Sequence, residues 1–147
     1  MSYGKAKVAA CAGLASLLAV WAVAPARSEG AVAVGQPRDV AASGYAIGLS
    51  GNYQTETEAK ARALKECRAG DAAPESTRNL CKVVRTFKKG CVAAALDPKD
   101  GTPGAGWALA ANRPDAEKAA VAACRKTAGK AREEFCVVSA VQCDGVE

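Results

Sequence analysis

The sequence predicts an α+β fold: two ββαβ repeats forming a mostly antiparallel sheet, with two Ala-rich helices, stapled by disulfides. Three observations carry this. The chain repeats itself, each half alternates short apolar runs with one capped amphipathic segment, and an even set of six cysteines remains once an N-terminal leader is set aside.

The leader comes first in the chain. Lys5 and Lys7 precede an uncharged run from Val8 to Val23, and Ala24-Pro25-Ala26 supplies a small-x-small site before Arg27. That order reads as a signal peptide over 1–26, cleaved to leave 27–147 as a single duplicated domain. The uncharged run is shorter than the roughly 20 residues a membrane-spanning helix needs, so no stable membrane anchor is expected after cleavage. Cys11 stands before the apolar run and not after it, which argues against a lipidation site. Cleavage removes Lys5, Lys7 and Cys11, lowering the net charge from +5 to +3. The remaining charges are interspersed, with no basic arm or stripe, so no nucleic-acid partner is expected. An exported chain is expected to be secreted or periplasmic, where disulfides form.

The halves align as repeat one, about 30–88, and repeat two, about 90–143. Gly30-Ala31-Val32-Ala33 matches Gly90-Cys91-Val92-Ala93, and Pro37-Arg38-Asp39 matches Pro98-Lys99-Asp100. Gly44-Tyr45-Ala46-Ile47 matches Gly106-Trp107-Ala108-Leu109, and 55–67 matches 112–124. Cys81-Lys82-Val83-Val84 matches Cys136-Val137-Val138.

Each repeat opens with a strand, 31–34 or 92–96, then a polar connection with Pro and Asp, then a second strand, 45–49 or 107–110. A helix follows. Thr55 and Glu58 have capping-box spacing, and Asn112-Arg113-Pro114-Asp115 offers a capping amide, a first-turn Pro and an acid at the positive end of the dipole. Ala59, Ala63, Leu64 and Cys67 share one helical face, as do Ala116, Ala120, Val121 and Cys124. These faces are small, so each helix is expected to lie close on its sheet. The closing strands are 81–87 and 135–141, rich in Val and aromatics. The segments before Gly30 and after Cys143 read as frayed ends.

The repeat also sorts the cysteines. Sequence alone permits fifteen pairings of six cysteines. Cys67 and Cys124 occupy equivalent helix ends, Cys81 and Cys136 equivalent strand starts, while Cys91 and Cys143 have no counterparts in repeat one. The symmetric solution is Cys67 with Cys81, Cys124 with Cys136, and Cys91 with Cys143.

The strand pattern around Lys89-Gly90-Cys91-Val92-Ala93-Ala94-Ala95 and the Ala-rich helices 58–67 and 115–124, each ending in Cys, resemble the domain of unknown function 4189 family over about 30–143. The resemblance implies export and a cysteine-stapled repeat fold, and it brings no agreed activity or catalytic residues. Family members often carry an aromatic near the end of the closing strand. Phe87 fits that pattern and Val141 departs from it.

Function is constrained mostly by exclusion. With no His in the chain, His-based triads, His-metal ligation and the commonest general base are absent. No Cys-x-x-Cys pair occurs, which argues against zinc and redox-active dithiols alike. No metal, cofactor or catalytic residue is expected. Glu56 and Glu58 have a capping role, and Glu133 and Glu134 fall in a charged loop. Candidate binding residues are Tyr45, Tyr53 and Trp107, with Tyr45 and Trp107 at aligned positions, and the basic cluster Lys82, Arg85, Lys88 and Lys89. Packing for the aligned aromatics, and a solvated or blunted strand edge for the basic cluster, are the competing readings. The expected function is an exported, disulfide-stabilised interaction module that binds or inhibits an envelope or extracellular protein, with the loop 97–104 suited to such contact. The alternatives are a cell-wall or glycan-binding module, and an enzyme of unrecognised type.

Overall fold

The computed structural model describes residues 29–145. The expected signal peptide lies outside the described residues. The first half runs β1 (Glu29–Gly35), α1 (Val40–Ser43), β2 (Ala46–Tyr53), α2 (Glu56–Ala69), α3 (Glu75–Arg78) and β3 (Lys82–Phe87). The second runs β4 (Gly90–Leu96), β5 (Ala105–Ala110), α4 (Arg113–Ala128), a 3-10 turn (Glu133–Phe135) and β6 (Val137–Asp144). They form two three-stranded sheets, ordered β2-β1-β3 and β5-β4-β6, in which every hydrogen-bonded pair is antiparallel.

The layers follow from side-chain parity. Ala31 and Ala33 on β1 pack with Ala59, Ala63 and Cys67 of α2, while Cys91, Ala93 and Ala95 on β4 pack with Ala116, Ala120 and Cys124 of α4. The opposite faces meet each other: Val32, Val34 and Tyr45 share a cluster with Val92 and Ala105. The stack is therefore helix, sheet, sheet, helix. Central strands β1 and β4 are covered on both faces, which is why they read as unbroken runs of small apolar residues without alternation.

Both long helices begin as their caps predict. Thr55 accepts from the Glu58 N–H at 3.2 Å and Glu58 accepts from the Thr55 N–H at 3.1 Å, closing a capping box. Asn112 accepts from the Asp115 N–H at 3.0 Å, with Pro114 in the first turn. The three disulfides are Cys67–Cys81, Cys91–Cys143 and Cys124–Cys136, the pairing expected from aligning the two halves of the sequence. Two tie a helix end to the strand after it, and the third joins facing residues of β4 and β6.

Several expectations need correction. The connection after β1 contains the helix α1, because Asp39 accepts from the Ala42 N–H at 3.0 Å and Gly44, at φ 70°, ends the turn. Phe135 closes a 3-10 turn, and strand β6 starts only at Val137. The ends at 29 and 144 are not frayed. Glu29 is buried within β1, and the fully buried Asp144 accepts from the backbone N–H groups of Asn52 and Lys89 at 2.9 and 3.1 Å. Asn52 and Lys89 both have positive φ, 63° and 50°, so this carboxylate holds two strained turns from different parts of the chain.

The aligned aromatics are also displaced. Val32 faces Leu49 and Val92 faces Leu109, so with β1 laid on β4 the counterpart of Trp107 is Ile47 and that of Tyr45 is Ala105. The strands keep one offset here, where the sequence alignment inserts two residues. The closing strands differ in the same way: Phe87 lies opposite Gly30, and the position opposite Gly90 is Asp144. A buried carboxylate thus replaces the aromatic in the second half.

Candidate binding surface

The basic cluster falls on edge strand β3 and the turn after it, and all four residues are exposed. In a regular strand Lys82 and Arg85, three residues apart, would point to opposite faces. They do not here. The register slips between Val32 and Ala33: Arg85 faces Val32, Val83 faces Ala33 and Lys82 faces Val34, leaving Val84 as a bulge. Val32 and Val34 lie on the inter-sheet face, so Lys82 and Arg85 are brought to that same face.

Beside them runs a groove of about 630 Å³, lined by Val34, Pro37, Arg38, Leu80, Lys82 and Val84 together with Gln36. Its construction is local. The Cys67–Cys81 bridge anchors the chain at the start of β3, and backbone bonds from the Leu80 N–H to the Thr77 carbonyl (3.0 Å) and from the Cys81 N–H to the Arg78 carbonyl (3.1 Å) turn it into the strand. Cys81 is buried while Leu80, next to it, is left 49% exposed, and Val84 on the bulge is 38% exposed. Arg38 arrives from the connection between β1 and α1. Among the described residues, Arg38, Lys82 and Arg85 form no salt bridge. The groove therefore joins an apolar floor to two cations without a salt bridge, Arg38 and Lys82, and Arg85 follows Val84 along β3.

The other two basic residues are used elsewhere. Lys88 pairs with the buried Glu29 carboxylate at 2.6 Å, and Lys89 occupies the strained turn that Asp144 holds. Sequence reasoning missed Arg38, Leu80 and the bulge. The Pro37-Arg38-Asp39 motif was visible, but only the fold brings it beside β3.

The candidate aromatics do not form one surface. Tyr45 is 7% exposed and Trp107 is half-buried, both in the cluster between the sheets, whereas Tyr53 is half-buried against the α2 cluster. Burial pushes the Tyr45 hydroxyl well above its ordinary pKa.

A second concavity, about 240 Å³, lies between α1 and the loop 97–104 and is lined by Tyr45, Asp97, Asp100 and Thr102 among others. Asp97 accepts a bidentate pair from Arg132 at 2.7 and 2.6 Å and a further bond from the Lys99 N–H at 3.1 Å. The Arg132 guanidinium holds the Asp97 carboxyl down at about 2. Arg132 also stacks 4.1 Å from the centre of the Phe135 ring. This carboxylate is committed to fixing the loop. Lys99, Asp100 and Gly101 at its tip stay exposed.

The remaining carboxylate candidates have structural partners or lie apart. Glu56 pairs with Lys60, which lowers its pKa by hydrogen bonding and charge, and Glu58 completes the capping box. Glu133 and Glu134 sit exposed on the 3-10 turn. Among the described residues no group of His, Cys, Asp and Glu is arranged to hold a metal ion. No helix of the described residues is long and apolar enough to cross a membrane.

With this geometry established, the family model for a domain of unknown function, DUF4189, matches residues 30–143. The chain belongs to the DUF4189 family. The match takes in both sheets, all three disulfides and the groove of this DUF4189 domain. Comparison with curated proteins and with solved structures gives no match.

Proposed function

We propose that this DUF4189 domain is a non-enzymatic binding module that works outside the cytoplasm and engages another protein. The observation that carries the reading is the groove beside β3, where exposed Leu80 and Val84 adjoin Arg38 and Lys82, with Arg85 next along the strand, none of the three in a salt bridge among the described residues. Exposed apolar area rimmed by charge is what a protein partner covers. Three disulfides and two closely seated helices support the reading, since a scaffold fixed before binding loses less entropy when it binds. They also fit the expected secreted or periplasmic location, because such bonds persist in oxidising compartments. The glycan-binding alternative relied on a shared aromatic platform, and the buried Tyr45 and half-buried Trp107 give it no support.

The test is capture with the oxidised mature domain as bait against the exported proteins of its source cell, beside a Lys82→Glu/Arg85→Glu bait of equal stability. The reading expects partners held by the wild-type bait. Turnover of a substrate by the purified domain, or capture no greater than with a reduced and alkylated bait, would contradict it.

A further inference from the structure

We propose that the groove beside β3 binds an extended acidic segment of a partner protein, with one apolar side chain on the floor made by Val34, Leu80 and Val84 and carboxylates on Arg38, Lys82 and Arg85. This rests on the binding-module reading and specifies the partner's chemistry. Three features lead to it.

The first is charge. Arg38, Lys82 and Arg85 are exposed and have no anionic partner among the described residues, although the chain pairs Lys60, Arg62, Lys88 and Arg132 with its own carboxylates. An acidic partner segment would be complementary to them.

The second is spacing. Through the bulge, Lys82 and Arg85 stand opposite Val34 and Val32, two positions apart on β1 and so about 7 Å apart along it. Carboxylates at alternate residues of an extended peptide have the same separation, about 7 Å. Leu80 lies in the turn just before β3 and lines the same groove, which places the apolar contact at the Lys82 end of the pair.

The third is the floor. A nucleic acid would call for several phosphate contacts and exposed stacking aromatics, and this groove offers two lining cations, Arg38 and Lys82, with Arg85 beside them, over aliphatic side chains. An anionic lipid surface would meet a flat basic face with apolar residues at its edge. Here the apolar residues lie inside a groove, which suits a single side chain.

The partner motif is therefore an apolar residue followed on the same face by two acids. A probe that satisfies it in either chain direction is Glu-Ser-Glu-Ser-Leu-Ser-Glu-Ser-Glu. Its binding to the oxidised domain is measured by fluorescence anisotropy, against versions with Gln for Glu, Lys for Glu and Ser for Leu, and against vesicles containing an anionic lipid. The Glu peptide is expected to bind at least about tenfold more tightly than the Gln peptide. Its affinity is expected to fall as salt rises from about 50 mM to about 300 mM. Lys82→Glu/Arg85→Glu should weaken it by about tenfold or more, and Leu80→Gln by several-fold, with melting and disulfide content unchanged.

Equal binding of the Glu and Gln peptides, no binding of any peptide, indifference to the double variant, or binding to vesicles alone would overturn the proposal. Partner capture separates the two failures. If wild-type and Lys82→Glu/Arg85→Glu baits retrieve the same partner equally, the groove is wrong and the binding-module reading survives. If neither bait retrieves a partner and no peptide binds, both fail.

Discussion

Replacing Gly106 by Ala should destabilise the domain by an amount the structure sets. Gly106 lies on β5 beneath α4, where a Cβ would come 2.5 Å from the Cys124 nitrogen and 2.7 Å from both the Ala123 carbonyl carbon and its Cβ. Ordinary contact begins at 3.4 Å, so the helix would have to retreat by about 0.9 Å. The obstructing atoms are mostly helix backbone and have no rotamer to change. Retreat is resisted because Ala116, Ala120 and Cys124 are fully buried and Cys124 is bonded to Cys136. A gap approaching 1 Å forfeits about a quarter to a half of each dispersion contact along that face. Overpacking of this kind costs about 1–3 kcal/mol, and melting falls by about 3–5 °C per kcal/mol in a domain of this size. Thermal unfolding of the oxidised protein followed by circular dichroism should therefore show a drop of about 3–15 °C. Gly70→Ala is the control: its nearest neighbour would be the Glu66 carbonyl at 3.7 Å, and its φ is −61°. That variant should melt within about 2 °C of wild type or slightly higher. A Gly106→Ala protein that melts with wild type would refute direct seating of α4 on β5. Gly48, against the Ala63 carbonyl and Cys67 nitrogen of α2, should behave like Gly106.

Other outcomes follow from the staples and the buried ion pair. By chain entropy, removing Cys91–Cys143, which spans 52 residues, should cost about 4 kcal/mol, and removing Cys67–Cys81, which spans 14, about 3 kcal/mol. Denaturant unfolding of the paired Ser variants checks that order, and peptide mapping under non-reducing conditions should recover the three pairs and no Cys67–Cys124 link. Asp97 is held at about 2, below its ordinary 3.8, so its contribution is complete above about pH 4 and is lost as pH falls through 4 towards 2. Melting temperature against pH should drop in that window, and Asp97→Asn should remove the corresponding part of the drop while lowering stability at neutral pH. An unchanged acid profile in the variant would place the acid sensitivity on other carboxylates.

The parts of the fold legible in the sequence were those fixed by local chemistry. The Thr55–Glu58 box and the Asn112–Pro114 start are determined within one helical turn, and the Ala59, Ala63, Cys67 and Ala116, Ala120, Cys124 faces need only helical spacing. The cysteine pairing needed only the alignment of the two halves of the sequence. What escaped depended on register or distant contact. Leu109 and Leu49 are equivalent only once β1 and β4 are seen facing them, so aligning Tyr45 with Trp107 misplaced both. The role of Asp144 required two turns more than fifty residues away in the chain, at Asn52 and Lys89, to converge on it. At the candidate site the sequence named Lys82 and Arg85 but grouped them with Lys88 and Lys89 by proximity. The bulge at Val84 and the arrival of Arg38 regroup them, and strand-period reasoning alone contains neither.

The central claim, that this DUF4189 domain recognises a partner through the groove beside β3, is tested most directly by mapping amide chemical shifts of the labelled, oxidised domain during titration with the acidic Leu-centred peptide. The account predicts that the shifts concentrate at 34–38 and 80–85, with α4 and the loop 97–104 unmoved. Shifts centred on 97–104, or none at saturating peptide, would contradict it.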